Sequence, residues 1–585
     1  MTSVPKKEKI RKRLVLTFGA LVYALLFALG SQMEQYGATQ PGETIKRLLP
    51  AFCAAFGVLW VLMEKILPRH SDREKAAEKP FRTGLAFLLI VACYVPIFLI
   101  YYPGTFAYDT QVQAEQVVYH AYTQFHPLAH TLFLGACLSL FEALGSLEKC
   151  AAVYSVIQII ILGGGYALSC ASISRSCSRR AARVCTAVFA LWPYHMIFAS
   201  TCTKDVLFSG FLTLFFALTL ELQRVGTLTK PRLIILMISG MLACLLRNNM
   251  IYAMLVWVAL LMLFGKGVRR IACYALIAAI LSIAANQGLA AATQAGKGNI
   301  REMFSVPMQQ LSRAHRLAPE VFTEEEQQAL DTYLRDRGYE RYNPTLADPV
   351  KWCFNNEAFE ANPAGAAKLW LSIGRKCPNI YLDAFLDLML PFLYPTTTYR
   401  VTPEYIDSGS YGGVLTALYT QPPIVHPSRF DAVRAWLDVH IWANGADEFP
   451  LLRWVFNAGL VIWLMGLCVL HAMYAGRRKR FAVLLLPVLL WGTYLLGPVV
   501  QGRYVYPFVC LLPLMLAVSK EGEREKGRTV GTLSQVRETR IVAFGSLRFP
   551  IFATLNPAQR ARGFNPNPHQ EPEVLGFPTA FIASR

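Results

Sequence analysis

The stretch "TGLAFLLIVACYVPIFLIYYPGTFAYDTQVQAEQVVYHAYTQFHP" (residues 83–127) decides how the chain is read. It opens on an apolar run over residues 83–101. A membrane helix needs roughly 17–25 such residues. One acid, Asp109, stands just past that run, and the pair His126-Pro127 stands just before the next one. A carboxylate and an imidazole are thus placed at the lip of a membrane. Between them, Ala114, Val117, Val118, Ala121, Tyr122 and Phe125 recur at three-four spacing and predict an apolar helix face. Gln113, Gln116, Tyr119 and His120 fall opposite. The pattern predicts a helix lying in the membrane plane. Asp109 would stand at its N-terminus, where a side-chain oxygen also serves as a cap.

Composition widens this to the whole chain. Of 585 residues, 54% are hydrophobic and 16% charged, against about 25% charged in soluble proteins. The expectation is an all-α integral membrane protein. The net charge of +19 does not point to nucleic acid. Its basic residues cluster beside helix ends, as in Lys6, Lys7, Lys9, Arg11, Lys12 and Arg13, and again in Arg477, Arg478, Lys479 and Arg480. Such clusters mark the cytoplasmic side. The first apolar run, residues 14–30, reads as an anchor rather than a cleaved signal. The 14 cysteines are scattered without metal-ligand spacing. Cys353 and Cys377 share a polar loop, but nothing requires them to pair.

Threading from a cytoplasmic N-terminus predicts about 12 crossings, with both termini inside. Residues 1–82 are two leading helices and a basic loop, and residues 83–290 are the membrane core. Residues 291–450 are an extracytoplasmic loop region, residues 451–520 the last membrane helices, and residues 521–585 a cytoplasmic tail expected to be disordered. Residues 128–144 are expected to be re-entrant or to lie in the protein interior, and residues 380–393 to form a dipping or interfacial helix. Asp109, His126, "TKD" (203–205), "RNN" (247–249), the long loop and "QGRYVY" (501–506) all fall outside the membrane's cytoplasmic face.

That side collects chemistry. Asp109 and Asp205 are candidate proton acceptors, with His126 beside them. Lys204, Arg247, Arg503 and Tyr504 are candidates to hold a phosphate, since guanidinium groups bind it bidentately. Arg301, Glu302, Gln309, Gln310 and Arg313 in the long loop are candidate substrate contacts. A divalent metal such as Mg or Mn, if used, would sit on Asp109 and Asp205. Each has an ordinary structural explanation as well: a helix cap for Asp109, a salt bridge for Lys204 and Asp205, a hairpin turn for Arg247, an interfacial anchor for Arg503-Tyr504.

The motifs "YPGTFAYDTQVQ…FHPLAH", "TKD", "RNN", "REMFSVPMQQLSR" and "GRYVYP" resemble a group of uncharacterised bacterial multi-pass membrane proteins. That group is similar to the GT-C glycosyltransferases, which include protein mannosyltransferases and aminoarabinose transferases. The resemblance covers roughly residues 83–520 and implies a GT-C-like core. It implies Asp109 as catalytic base, with His126-Pro127, Asp205 and Arg503-Tyr504 at places matching the family's site. It implies a polyprenyl-phosphate sugar as donor and an envelope glycan, lipid or protein as acceptor, at the bacterial cell membrane. The sequence departs from the pattern in carrying its acid alone, and after the third helix rather than the first. The rival expectation is a transporter or flippase for a lipid-linked or anionic solute, which intramembrane charges and broken helices also suit. A third is a scaffold for envelope assembly, for which Asp109 would be dispensable.

Overall fold

A computed structural model describes residues 6–67, 80–106, 108–265, 267–298, 300–395, 427–437, 439–440 and 448–520. The tail expected to be disordered, and residues 396–426 of the long loop, lie outside the described residues. The described chain is almost entirely helical. Among the described residues, six helices are long and apolar enough to cross a membrane: Lys6–Tyr36, Pro41–Ile66, Thr83–Ile100, Leu147–Ser176, Lys204–Val225 and Arg269–Thr293. Arg179–Leu191 and Pro193–Ser200, bent by 51°, make a seventh if taken as one span. The bend falls where Pro193 withholds the N–H that would continue the helix ladder.

Lys204–Val225 is the centre of the bundle. It packs against Leu147–Ser176, Lys230–Leu246 and Gly502–Lys520. Shorter apolar helices complete the bundle, Leu128–Leu138 and Met250–Leu263 among them. Leu128–Leu138 has 11 residues, so it rises only ~16 Å, about half the bilayer's hydrocarbon thickness. The break at Arg247, Asn248 and Asn249 separates Lys230–Leu246 from Met250–Leu263. Residues 451–473, which read as one apolar run, are likewise divided. Asn457 caps Ala458–Tyr474 by accepting from the Leu460 N–H at 2.7 Å, and Pro450–Val455 stands apart.

The long loop is partly a small helical domain with its own core. Met308, Leu311, Leu330, Tyr333, Leu334, Val350, Leu369 and Ile373 are buried together there. Cys353 and Cys377 are both free thiols. Pro378–Leu393 joins this domain to the bundle. Hydrogen bonds help to place the domain: the Ala347 N–H donates to Pro498 O at 2.8 Å, and the Arg313 guanidinium donates through Nη2 to Gly37 O at 2.6 Å.

The helix after Asp109 corrects the expected face. It runs only over Tyr108–Val118 and ends where His120 takes a φ of +53°. Ala121, Tyr122 and Phe125 are therefore not on it. Gln113 and Gln116, expected on a polar outer face, are buried. Gln113 donates to Thr131 Oγ1 at 2.9 Å, and its Oε1 accepts from His130 Nδ1 at 2.8 Å. Gln116 Oε1 accepts from the Thr123 N–H at 3.0 Å. Val112 is exposed instead. Periodicity alone cannot separate a face turned to lipid from one turned to a polar protein interior.

A two-residue parallel ladder ties this helix to the core helix. Thr105 pairs with Thr201 and Phe106 with Cys202, and Thr110 Oγ1 donates to Cys202 O at 2.8 Å. Gly104 makes the approach possible. Its φ is +133°, and a Cβ there would lie 2.4 Å from Ser155 Oγ and 2.9 Å from Cys202 Sγ. Gly104→Ala is expected to cost about 1–3 kcal/mol through strain and overpacking. Thermal unfolding of the purified variant in detergent checks this; an unchanged midpoint would contradict the packing account.

Candidate functional site

Thr203, Lys204 and Asp205 begin the central helix. Thr203 is its N-cap, and its hydroxyl lies 3.5 Å from the Asp205 N–H. Asp205 in the first turn suits the helix dipole, whereas Lys204 does not. Lys204 instead turns to Asp109 and donates to its Oδ2. Arg503, at the start of Gly502–Lys520, donates through Nη1 to the same oxygen at 2.9 Å. Gln501 Oε1 steadies Arg503 by accepting from Nε at 2.8 Å. His126 Nδ1 lies 3.3 Å from Lys204 Nζ. Neither Asp109 nor His126 acts as a cap: Leu128–Leu138 begins after Pro127 without a side-chain cap, and Asp109's carboxylate is turned to its two cations.

A second ion pair stands beside the first. Arg247, from the helix break, pairs with Asp205, whose side chain is 0% exposed. Asp205 Oδ2 is also 4.0 Å from Arg503 Nε. The Arg247 guanidinium lies over Tyr494 at 4.6 Å and over Tyr504 at 4.7 Å. Each such contact is worth roughly 0.5–2 kcal/mol. Asn249 Nδ2 donates to Thr493 Oγ1 at 2.7 Å and fixes the other end of the break.

Electrostatics follow from this geometry. Burial opposes ionisation of Asp109, but Arg503, Lys204 and His126 around it win, and its carboxyl is held well below the ordinary carboxylate range. Burial, helped by the charges of Lys204, Arg503 and Lys351, pushes the His126 imidazole down to about 3 against the pull of Asp109. His126 is therefore neutral near pH 7. Lys204, Arg247 and Arg503 outnumber Asp109 and Asp205 by one charge.

The structure thus brings together Asp109, His126, Lys204, Asp205, Arg247, Arg503 and Tyr504. The long-loop candidates find their partners within the small domain or its joints. Gln309 donates to Asn343 O at 2.7 Å, and Gln310 donates to Tyr381 O at 3.2 Å while accepting from Trp370. Arg313 pairs with Asp387 and bonds Tyr342 OH at 3.0 Å. Arg301 Nε lies 3.8 Å from Glu302, and Glu302 accepts from Lys351 at 2.8 Å. Lys351 is one residue that sequence reasoning missed. It is buried, it also meets Asp348 at 2.6 Å, and its charge bears on His126. Tyr494 was missed as well; an arginine interrupting an apolar stretch is a signal to look for an aromatic partner.

Asp109 is turned to Lys204 and Arg503, and Asp205 to Arg247. Among the described residues, no three of His, Cys, Asp and Glu gather as metal ligands.

Two predictions follow from the charges. Arg247→Met strands Asp205 and is expected to cost about 3–5 kcal/mol. Arg247→Met with Asp205→Asn should recover most of it; chemical denaturation of the three proteins checks this. For His126, the unfolded imidazole takes a proton near its ordinary 6.5, while the folded one stays neutral to about 3. Its contribution to stability is therefore complete above the unfolded value and declines as pH falls toward the folded one. Unfolding temperature measured down to about pH 4 should fall less steeply in His126→Gln than in wild type.

The family model described as "Family of unknown function (DUF6020)" matches residues 119–532, more than half of the chain. Asp109 lies ahead of the matched stretch; His126, Lys204, Asp205, Arg247 and Arg503 lie within it. No curated protein and no solved structure matches.

Proposed function

The chain belongs to DUF6020, a family of unknown function, and we propose from its own residues that it is a membrane glycosyltransferase. It moves a sugar from a polyprenyl-phosphate donor to an acceptor glycan, lipid or protein of the cell envelope, on the extracytoplasmic face. In this reading the chain has a GT-C-like core, crosses the plasma membrane about 12 times, and keeps both termini in the cytoplasm.

The supporting observation is the cation-rich cluster at the ends of Lys204–Val225, Lys230–Leu246 and Gly502–Lys520. An enclosed cluster with one excess positive charge is completed by an anion, and a lipid-borne phosphate is an anion delivered at the membrane surface. The Arg247 Nε, buried and without a hydrogen-bond partner among the described residues, is a further donor for it. The acceptor oxygen bonds to the anomeric carbon, and the bond from that carbon to the phosphate oxygen breaks. The electron pair leaves with the phosphate, where Lys204 and Arg503 stabilise it. The hydroxyl proton passes to Asp109. Asp205 and Arg247 hold the frame, and the small domain contributes Lys351 with Glu302 near His126.

The helix broken at Arg247 favours a second reading, a transporter or flippase for a lipid-linked or anionic solute, because broken helices line transport paths. One pair of assays separates the two. Purified protein is given labelled polyprenyl-phosphate sugars and an envelope extract, and transfer is followed by mass spectrometry. Wild type should transfer label, and Asp109→Asn should lose roughly 10²–10⁴-fold in rate. Solute or lipid movement across liposomes, with no transfer from any donor, would replace the transferase by the transporter.

A further inference from the structure

Asp109 Oδ2 is shared between two cations on two different helices: Lys204 Nζ donates to it, and Arg503 Nη1 donates to it at 2.9 Å. A phosphate oxygen asks for the same surroundings, two charge-assisted hydrogen bonds from converging donors. The two carboxylates of the cluster are not equally open. Asp205 is 0% exposed, whereas the Asp109 side chain is 19% exposed; the cations are about alike, Lys204 at 11%, Arg503 at 9% and Arg247 at 12%. Of the two carboxylates, Asp109 is the one with a face that a ligand can reach. Held as it is, Asp109 is also a poor proton acceptor, since a base engaged by two cations has little basicity left.

We propose that Asp109 is a built-in stand-in for the ligand: a phosphate group displaces its carboxylate from Lys204 and Arg503, and that displacement frees Asp109. Residues already present support both ends of the exchange. His126 Nδ1, 3.3 Å from Lys204 Nζ, is a neutral acceptor that keeps the ammonium in place when the carboxylate leaves. Gln501 does the same for the Arg503 guanidinium at 2.8 Å. The site is thus closed on itself when empty and becomes competent as the phosphate binds. The inference rests on the donor reading above, but it concerns phosphate binding and not sugar transfer.

Its consequence runs against the usual effect of losing a site residue. Removing the charge of Asp109 removes the competitor, so phosphate binding should tighten even as transfer is lost. A merely structural role for the Asp109 pair predicts weaker binding.

The test uses the full chain in detergent micelles. Binding of inorganic phosphate and of farnesyl phosphate is measured by calorimetry, with farnesol as the uncharged control. Asp109→Asn is expected to bind roughly tenfold tighter than wild type, the order of one charge-assisted hydrogen bond. The gain should vanish when Lys204→Met is added. Asp109→Ser repeats the comparison if Asp109→Asn does not fold. Tightening for both phosphates supports recognition of the phosphate group itself, and tightening for farnesyl phosphate alone supports a lipid-borne one. Equal or weaker binding by both variants, with unfolding midpoints near wild type, overturns the proposal. The transfer assay decides the donor reading separately.

Discussion

The Asp205 carboxylate stands at a point with no contact to solvent, ion-paired with Arg247, and much of the bundle is arranged to make that tolerable. An unpaired carboxylate in such a place costs several kcal/mol, and its helix N-terminus offsets only about 1. The remainder has to come from a counter-charge on another element. Arg247 supplies it, and the apolar stretch to which Arg247 belongs is interrupted there, as Lys230–Leu246 and Met250–Leu263. The aromatic faces of Tyr494 and Tyr504 then fix the guanidinium from the far side. Three separate parts of the sequence, at residues 205, 247 and 494–504, are brought into register by one buried charge.

The same constraint explains which parts of the molecule were legible in the sequence. Charged residues flanking apolar runs have few places to go, because a membrane excludes them from its interior. Asp109, His126, Lys204, Asp205, Arg247, Arg503 and Tyr504 all stand beside such runs, and they converge. Helix existence was legible for the same reason: apolar length forces it. What was not legible is orientation within the protein. Gln113 and Gln116 look solvent-facing by periodicity, yet they serve His130, Thr131 and Thr123 in the interior. The short helix therefore shows Val112 outward, a reversal that only the packing of Leu128–Leu138 against it reveals.

The long loop was illegible for a different reason. Much of it folds as a small domain with its own core, whose members find partners far away in the sequence, so a run such as Arg301 to Arg313 gives no sign of which members look outward. Gln309, Gln310 and Arg313 hold the domain together and hold it to its neighbours. Lys351, without a conspicuous motif around it, is the member whose charge reaches His126.

The position of that domain bears on the chemistry. It is fastened at two places, to the turn after Lys6–Tyr36 through Arg313 and to the turn before Gly502–Lys520 through Ala347. The second turn carries Gln501, and Arg503 follows in the first turn of Gly502–Lys520. The domain thus abuts the segment that leads to the arginine gripping Asp109, and both ion pairs lean on that segment, Asp205 through Arg503 and Arg247 through Tyr504. A purely structural ion-pair network would have little reason for one cation more than its carboxylates can neutralise; the proposed phosphate site has a use for it.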